Sequence, residues 1–323
     1  MADVIRLRAP GGAEQLELAS AELAPPAAGE IRLRQTAIGV NFIDIYQRLG
    51  LYALPEARIP GVEAVGIVSA VGAEVTSLKV GDRIAYAGAP VGAYASERNL
   101  PAWRSIKLPD TLSDAAVASV FVKGITAHML LTRIYPVGRG ATILVHSAAG
   151  GLGKLLTRWA NHLGATVIGT VGSKAKADIA REAGAHHILI GRDADFAREV
   201  AVLTGGHGVD AAYDGVGGAT LRKTLACVRP FGVVASIGQS GGAIPPLSVE
   251  ELGPRRSLML ARPSVMAYMN DAGAYRQAAQ AVLAALESGV LKGVGKAYWL
   301  SDAAQAHADL ESGRTSGALY LKV

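Results

Sequence analysis

The spacing of apolar and polar positions changes near residue 140. The stretch 30–41 opens with alternating apolar and polar side chains, Ile31 and Leu33 against Arg32 and Arg34, which predicts a half-buried strand. Further short strands, separated by glycines, are predicted at 64–71, 82–86 and 93–100. Short strands punctuated by glycine turns are typical of a small barrel, so the first 110 residues or so are predicted to be a β-rich domain.

Beyond residue 141, continuous apolar runs alternate with amphipathic stretches. The runs predict buried strands at 142–145, 166–171, 187–190, 209–213, 231–237 and 257–261. Helical patterns lie between most of them, at 152–162, 174–183, 194–203 and 219–228. Alternation of this kind predicts an α/β fold with a doubly wound parallel sheet. Six strands are what a full dinucleotide-binding sheet contains.

The last segment returns to the first domain. A long amphipathic helix is predicted at 272–288, followed by a segment at 290–300 and a final helix near 303–312. We expect these elements to complete the β-rich domain, so that the α/β domain is an insert entered through a helix near 125–133. The predicted domains are therefore 1–124 with 265–323, and 125–264.

Composition narrows the class of protein. Of 323 residues, 50% are hydrophobic and only 18% are charged, which excludes a disordered chain. The single cysteine, Cys227, excludes both an internal disulfide framework and a four-cysteine zinc site. The net charge of +5 permits an anionic ligand, but the basic residues are scattered, so nucleic acid is not an expected partner.

Two further patterns concern location. The first ten residues carry Arg6 and Arg8 and contain no apolar segment of the kind that directs secretion. The longest apolar stretch, 115–131, is interrupted by Lys123 and His128, so no membrane span is expected. These patterns predict a cytoplasmic protein.

A glycine-rich turn follows the first predicted strand of the α/β domain. Residues 148–153 read Ala-Ala-Gly-Gly-Leu-Gly, with Gly150 and Gly153 at the second and third places of the G-x-G-x-x-G pattern. The second glycine lets the backbone approach a pyrophosphate, and the third lets helix and strand pack closely. The amide groups that begin the helix favour phosphate. This turn predicts a dinucleotide site.

The end of the second strand indicates which nucleotide binds. NAD sites place Asp or Glu there to accept from the ribose 2′-hydroxyl. Here the chain continues Gly172-Ser173-Lys174-Ala175-Lys176, and the first carboxylate is Asp178. Ser173, Lys174 and Lys176 offer donors and positive charge for a 2′-phosphate, which favours NADPH over NADH. The alternative is that the lysines only solvate the start of a surface helix.

Several motifs together resemble one known family. They are AIGVNFIDIY at 37–46, GLY at 50–52, GVEAVG at 61–66, VGDR at 80–83, KGIT at 123–126, the glycine turn and RPS at 262–264. The chain resembles the zinc-free medium-chain dehydrogenases/reductases, and among them the NADPH:quinone oxidoreductase (zeta-crystallin-like) group. The resemblance spans nearly the whole chain. It implies a barrel-like GroES-like catalytic domain into which an NADPH-binding Rossmann domain is inserted.

The resemblance also implies that no metal is bound. Metal-dependent relatives carry Cys at the position of Asn41 and His at the position of Val62, and neither residue here replaces thiolate or imidazole at zinc. Without zinc, an alcohol dehydrogenase lacks the Lewis acid that polarises its carbonyl. A quinone accepts hydride readily, so a zinc-free site suits a quinone.

The family assigns site residues by position. Asn41, Tyr46 and Tyr52 would be catalytic, with the two tyrosines lining the acceptor site. The expected cofactor contacts are Asn41, Phe42, Tyr46, Thr126, Met129, Ala149, Gly150, Gly151, Leu152, Gly172, Ser173, Lys176, Arg192, Gly238, Gln239, Ser240, Arg262, Pro263 and Ser264. One departure is that the family's Asn-Tyr pair after the third strand is Ile190-Gly191 here, so we expect Arg192 to compensate at the phosphate.

The implied activity is NADPH-dependent reduction of a small-molecule quinone. An alternative is reduction of an activated C=C bond in an enone or enoyl thioester, which uses the same scaffold. RNA binding or a crystallin-like role, with which members of this group have been associated, is the alternative outside catalysis. The family also implies a homodimer, joined through the edge strand near 257–262.

Overall fold

The computed structural model describes residues 1–191, 194–293, 295–313 and 315–323. The strands are β1 (Ala2–Leu7), β2 (Leu16–Ala21), β3 (Glu30–Val40), β4 (Glu63–Val71), β5 (Arg83–Ala87), β6 (Glu97–Pro101), β7 (Ile106–Lys107), β8 (Thr142–Val145), β9 (Thr166–Val171), β10 (His187–Ile190), β11 (Val209–Asp214), β12 (Val228–Ser236), β13 (Met259–Ala261), β14 (Gly295–Trp299) and β15 (Ala318–Lys322). The helices are α1 (Phe42–Arg48), α2 (Asp114–Met129), α3 (Gly151–His162), α4 (Lys174–Glu182), α5 (Phe196–Leu203), α6 (Thr220–Cys227), α7 (Val265–Tyr268), α8 (Ala272–Glu287) and α9 (Ala303–Glu311).

The chain divides into two units. The first unit comprises Met1–Ile125 with Met266–Val323, and the second comprises Thr126–Val265. The first unit is therefore built from both ends of the chain.

The first unit is organised around one seven-stranded sheet. Its strand order is β14-β15-β3-β4-β5-β7, with β6 paired to β3, and β1 forms a separate hairpin with β2. In β3 the apolar side chains of Ile31 and Leu33 are fully buried, as the alternating pattern predicts. The predicted β-rich fold is confirmed.

The predicted strand at 93–100 is shorter than expected. Only Glu97–Pro101 forms β6, and Ala95 makes an isolated bridge to Val4. The carbonyl groups of Ala93 and Ala95 instead accept hydrogen bonds from the Gln35 side chain. A buried side-chain amide therefore takes backbone acceptors that a longer ladder would have used.

The second unit contains the predicted parallel sheet. Six strands lie in the order β10-β9-β8-β11-β12-β13, and every pair is parallel. Numbered within this unit, the order is that of a dinucleotide-binding Rossmann sheet. The central strand β8 is fully buried at Ile143, Leu144 and Val145, which is why its sequence is continuously apolar.

The helix that enters the second unit begins earlier than expected. α2 starts at Asp114, and with the following turn the segment Asp114–Ile134 is long and apolar enough to cross a membrane by length and composition. However, 67% of that window is buried inside the protein, as in a core helix. Lys123 lies within this helix, and its Nζ donates to the Val40 carbonyl at 3.0 Å.

Candidate functional site

Asn41 lies where β3 ends and α1 begins. Its backbone is extended, and its amide N–H donates to Oδ2 of Asp44 at 2.8 Å. Asp44 therefore caps the first turn of α1. Both side chains are buried, Asn41 to 6% exposure and Asp44 completely. The helix cap therefore fixes the backbone of Asn41, whose side chain is a neutral amide.

Glu63 fixes the Asn41 side chain from the opposite direction. Asn41 Nδ2 donates to Glu63 Oε1 at 2.7 Å, and the Val122 amide donates to Glu63 Oε2 at 2.7 Å. Lys123 Nζ lies 3.9 Å from Glu63 Oε1. Burial raises the pKa of Glu63, and the nearby Lys123 ammonium opposes that rise. The result is a fixed orientation of the Asn41 amide.

Gly39 makes room for this carboxylate. A Cβ at position 39 would lie 2.1 Å from Glu63 Oε1, so any side chain there would displace Glu63. The sequence alone did not indicate Glu63 as the partner of Asn41, nor Lys123 as a neighbour of Glu63, although both residues lie in motifs that carry the family resemblance. Their separation along the chain carries no signal of the contact.

A second buried chain of polar groups starts at Asp44. Tyr94 Oη donates to Asp44 Oδ2 at 3.2 Å and lies 2.9 Å from Nε2 of His307. Burial raises the pKa of Asp44 to about 7, against the lowering effect of the Asn41 amide. Burial, with the nearby Arg48 charge, lowers the pKa of His307 to about 3. The imidazole is therefore neutral at physiological pH.

Three aromatic rings cluster on and after α1. The centroids of Phe42 and Tyr46 are 6.2 Å apart, and those of Tyr46 and Tyr52 are 5.6 Å apart in an edge-to-face pair. The Tyr52 side chain is 46% exposed, and its neighbour Leu51 is also exposed. The structure thus brings together the two tyrosines that the sequence assigned to the acceptor site. Edge-to-face pairing holds both rings in place.

The glycine turn of the second unit connects β8 to α3. Gly150 is the N-cap of α3. A Cβ on Gly150 would contact only Ser147, whose carbonyl oxygen would lie 3.1 Å from it. A Cβ on Gly153 would lie 2.2 Å from the same carbonyl, so only glycine fits. The amides of the first helical turn lack intrahelical partners. Gly151 and Leu152 belong to this first turn, and Ala149 and Gly150 lie in the turn of chain before it, where the Gly150 amide donates to the Ser147 carbonyl.

The segment after β9 begins α4. Ser173 is the extended N-cap of α4, Gly172 and Lys174 are exposed, and Lys176 is half-buried in the first turn. The sequence 172–177 contains no carboxylate. Arg192, expected at the same phosphate, lies outside the described residues.

The remaining predicted contacts of the second unit lie on α2 and after the last two strands. Thr126 is half-buried and Met129 buried on α2. The Gly238-Gln239-Ser240 loop follows β12 and is joined to the loop after β11, because the Ser240 amide donates to the Gly215 carbonyl. The Arg262-Pro263-Ser264 loop follows β13, and Arg262 Nη1 donates to Ser236 Oγ at 2.8 Å.

Parallel strands share one carboxyl edge, and ligands of open α/β sheets bind there. The glycine turn after β8, Ser173 after β9, and the loops after β12 and β13 all follow strands of the same parallel sheet. The second unit therefore gathers these predicted contacts at one edge.

No group of three or more His, Cys, Asp or Glu side chains that could hold a metal ion occurs in the part of the chain that the structure describes. Asn41 and Val62 stand at the two positions where the family resemblance implies metal ligands in metal-dependent relatives.

Family comparisons agree with this architecture. Residues 27–110 match the alcohol dehydrogenase GroES-like domain, and residues 151–285 match the zinc-binding dehydrogenase domain. The chain therefore has the two-domain organisation of a medium-chain dehydrogenase/reductase.

Relatives over the full length define the family more closely. The chain is 38% identical to quinone oxidoreductase 1 of Escherichia coli strain K12, covering 99% of each chain. It is 40% identical to a 2-haloacrylate reductase of a Burkholderia species, covering 99% of this chain and 98% of that one. The crystal structure of the Escherichia coli quinone oxidoreductase complexed with NADPH superposes with a TM-score of 0.96 at 37% identity, covering 100% of both chains. The chain belongs to the quinone oxidoreductase family of medium-chain dehydrogenases/reductases, and the resemblance inferred from its sequence is confirmed.

Proposed function

We propose that this protein is an NADPH-dependent oxidoreductase that reduces a small-molecule quinone without a metal ion. The observation that carries the proposal is a Rossmann sheet whose glycine turn and second strand end suit NADPH, together with an aromatic cluster in the first unit that exposes Tyr52. When bound, NADPH supplies a hydride from its nicotinamide ring. The residues of the chain bind and orient the two reactants.

The glycine turn fits the pyrophosphate of the cofactor. Its second glycine leaves room for close approach, and its third permits α3 to pack on the strand. We assign the nicotinamide contacts to Asn41, Phe42, Tyr46, Thr126 and Met129 on the basis of the family pattern. The hydrogen bond to Glu63 supports this assignment, because it presents the Asn41 amide in one fixed orientation.

We assign the 2′-phosphate of NADPH to Ser173 and Lys176. The absence of a carboxylate in the sequence 172–177 removes the group that would repel a phosphate. Ser173 also begins α4, whose N-terminal dipole favours an anion. Charge-assisted contacts of this kind make NADPH the preferred nucleotide.

The aromatic cluster favours a quinone as acceptor. Tyr46 and Tyr52 present ring faces and hydroxyl groups, and the exposed Leu51 adds apolar surface beside them. A flat, apolar ring with two carbonyl groups matches such a surface. In this proposal Tyr52 stacks on or hydrogen-bonds to the quinone while Tyr46 supports it.

Reduction of an activated C=C bond is the second candidate. It is favoured by the full-length similarity to a 2-haloacrylate reductase at 40% identity. The two candidates differ in acceptor, because a haloacrylate is a small anion that needs a cationic partner and a quinone is neutral.

The test is a substrate screen that follows NADPH consumption with 1,4-benzoquinone, naphthoquinones, 2-chloroacrylate and an enone. The proposal predicts the highest kcat/KM for a quinone. A higher kcat/KM for 2-chloroacrylate would establish the second candidate instead, and consumption with neither class would refute both.

We further propose a homodimer joined through β13. Over the described residues β13 pairs with β12 alone. Two of its residues are exposed to solvent, Met259 to 51% and Leu260 to 36%. An apolar edge strand with open backbone groups favours pairing with a second copy. Light scattering should show a dimer for the native chain and a monomer for Leu260→Arg. The control is Val202→Arg on α5, where an apolar side chain is exposed away from this edge, and a dimeric Leu260→Arg variant would contradict the proposal.

A further inference from the structure

A buried chain of hydrogen bonds crosses the second unit at the carboxyl edge of its sheet. His146, which directly follows β8, places one ring nitrogen 3.0 Å from Thr170 Oγ1 and the other 2.9 Å from Thr224 Oγ1. Thr224 Oγ1 also lies 3.0 Å from Oδ2 of Asp214. All four residues are at least nine-tenths buried. These hydrogen bonds link β9, β8 and β11 through one imidazole.

The carboxylate sets the direction of these hydrogen bonds. The Thr224 hydroxyl donates to Asp214 Oδ2 and also lies 2.9 Å from the Thr220 carbonyl, so its hydrogen points away from His146 and its oxygen accepts from Nε2–H of His146. Nδ1 of His146 then accepts from the Thr170 hydroxyl. Burial lowers the pKa of His146, so the ring stays neutral, as this arrangement requires.

Each strand that these hydrogen bonds link precedes a loop at the carboxyl edge of the sheet. The glycine turn follows His146, and the Ser173 segment follows β9, to which Thr170 belongs. After β11, Asp214 Oδ1 accepts the amides of Val216 at 2.8 Å and Gly217 at 2.9 Å. A Cβ on Gly217 would lie 2.7 Å from the Gly238 carbonyl, so this loop also packs on the loop after β12.

We propose that His146 is a positioning residue for the cofactor, which holds the glycine turn, the Ser173 segment and the loop after β11 in the register that NADPH requires. The inference rests on the proposed NADPH site. His146 itself touches no ligand in this proposal; it acts through the backbone of the three loops. Removing the hydroxyl group of Thr170 or of Thr224 leaves its buried hydrogen-bond partner unsatisfied, and the loops shift to satisfy that partner.

The test compares hydroxyl removal with methyl removal at one position. Thr224→Val keeps the shape and removes the hydroxyl, whereas Thr224→Ser keeps the hydroxyl and removes a methyl group. NADPH dissociation constants are measured by calorimetry for both variants, and for Thr170→Val as an independent break in the chain. The control is Thr204→Val, at the residue that follows α5, whose hydroxyl donates to the Val200 carbonyl within that helix.

The proposal predicts that both valine variants weaken NADPH binding about tenfold, which is what ~1.4 kcal/mol of lost positioning gives. Thr224→Ser and Thr204→Val should bind within about twofold of the native protein. A packing role predicts the reverse order at position 224, because serine leaves a cavity and valine does not.

If both valine variants bound NADPH as tightly as the native protein, or if Thr224→Ser and Thr224→Val weakened binding equally, the inference would be overturned. The proposed cofactor site would stand in either case, provided that the native protein binds NADPH. If the native protein itself bound no NADPH, the proposed function would fail, and this inference with it.

Discussion

The most quantitative prediction concerns Asp44, whose side chain is fully buried beside Asn41. We predict that Asp44→Asn makes the protein more stable than the native chain above pH 7 and leaves its stability nearly unchanged near pH 4. Asn has the same shape, and its carbonyl can accept from the Asn41 amide and from Tyr94, as Asp44 Oδ2 does. The substitution therefore removes the ionisation and keeps the hydrogen bonds.

The magnitude follows from the pKa of Asp44, which burial raises from its ordinary value of 3.8 to about 7. Between these values the folded protein holds a proton that the unfolded chain releases, so stability falls as pH rises from about 4 to about 7. Each pH unit of difference is worth about 1.4 kcal/mol, which gives a total of about 4 kcal/mol. The Asp44→Asn variant has no carboxyl group at this position, so its stability does not fall with pH for this reason. His307, whose lowered pKa acts in the opposite direction, is present in both proteins and cancels in their difference.

The assay is urea unfolding of both proteins at a series of pH values from 4 to 8. The difference in free energy of unfolding should grow by about 4 kcal/mol across that range, with the variant more stable at the alkaline end. Asp110→Asn, at a fully exposed carboxyl of the same unit, is the control and should follow the native protein at every pH. A difference that does not change with pH would refute the reasoning, because it would mean that Asp44 has the same pKa folded and unfolded.

Three further predictions test the proposed site. Lys176→Ala should raise the NADPH dissociation constant by about ten- to a hundredfold at fixed ionic strength and leave NADH binding unchanged, because a charge-assisted contact is worth about 1.5–3 kcal/mol; equal loss of both nucleotides would remove Lys176 from the phosphate site. Tyr52→Ala should raise KM for the quinone with NADPH affinity retained, since it removes acceptor contacts only; a loss confined to NADPH binding would contradict this. Activity should survive prolonged EDTA dialysis because Asn41 and Val62 replace thiolate and imidazole, and stoichiometric zinc by elemental analysis would sink that claim.

The second unit was largely predictable from the sequence. The central strands β8 and β9 are buried and therefore read as continuous apolar runs, and both have the predicted bounds. The edge strand β10 also has the predicted bounds. The glycine turn was identifiable because the close approach of the Ser147 carbonyl allows only glycine at position 153.

The first unit was predictable only in part. α1 has seven residues, too few to show a helical period, and β15 owes its position to pairing with β3 across nearly the whole chain. The partners of the site residues were also missed. Tyr94 and His307 are 213 positions apart, and no local pattern predicts a hydrogen bond between them. Burial and tertiary packing, rather than propensity, create these contacts.

The surroundings of Asn41 explain why an amide suits this position in a zinc-free chain. Two buried carboxyl groups, Asp44 and Glu63, face the residue and need donors, because a buried carboxylate without them is costly. Asn41 satisfies both at once, through its backbone N–H to Asp44 and its Nδ2 to Glu63, and the Lys123 ammonium adds positive charge beside Glu63. A thiolate in place of the Asn41 side chain could not donate to Glu63 and would add a negative charge beside it, which a cation such as zinc would offset. The donors of Asn41 and the charge of Lys123 thus stabilise these two buried carboxyl groups within the first unit.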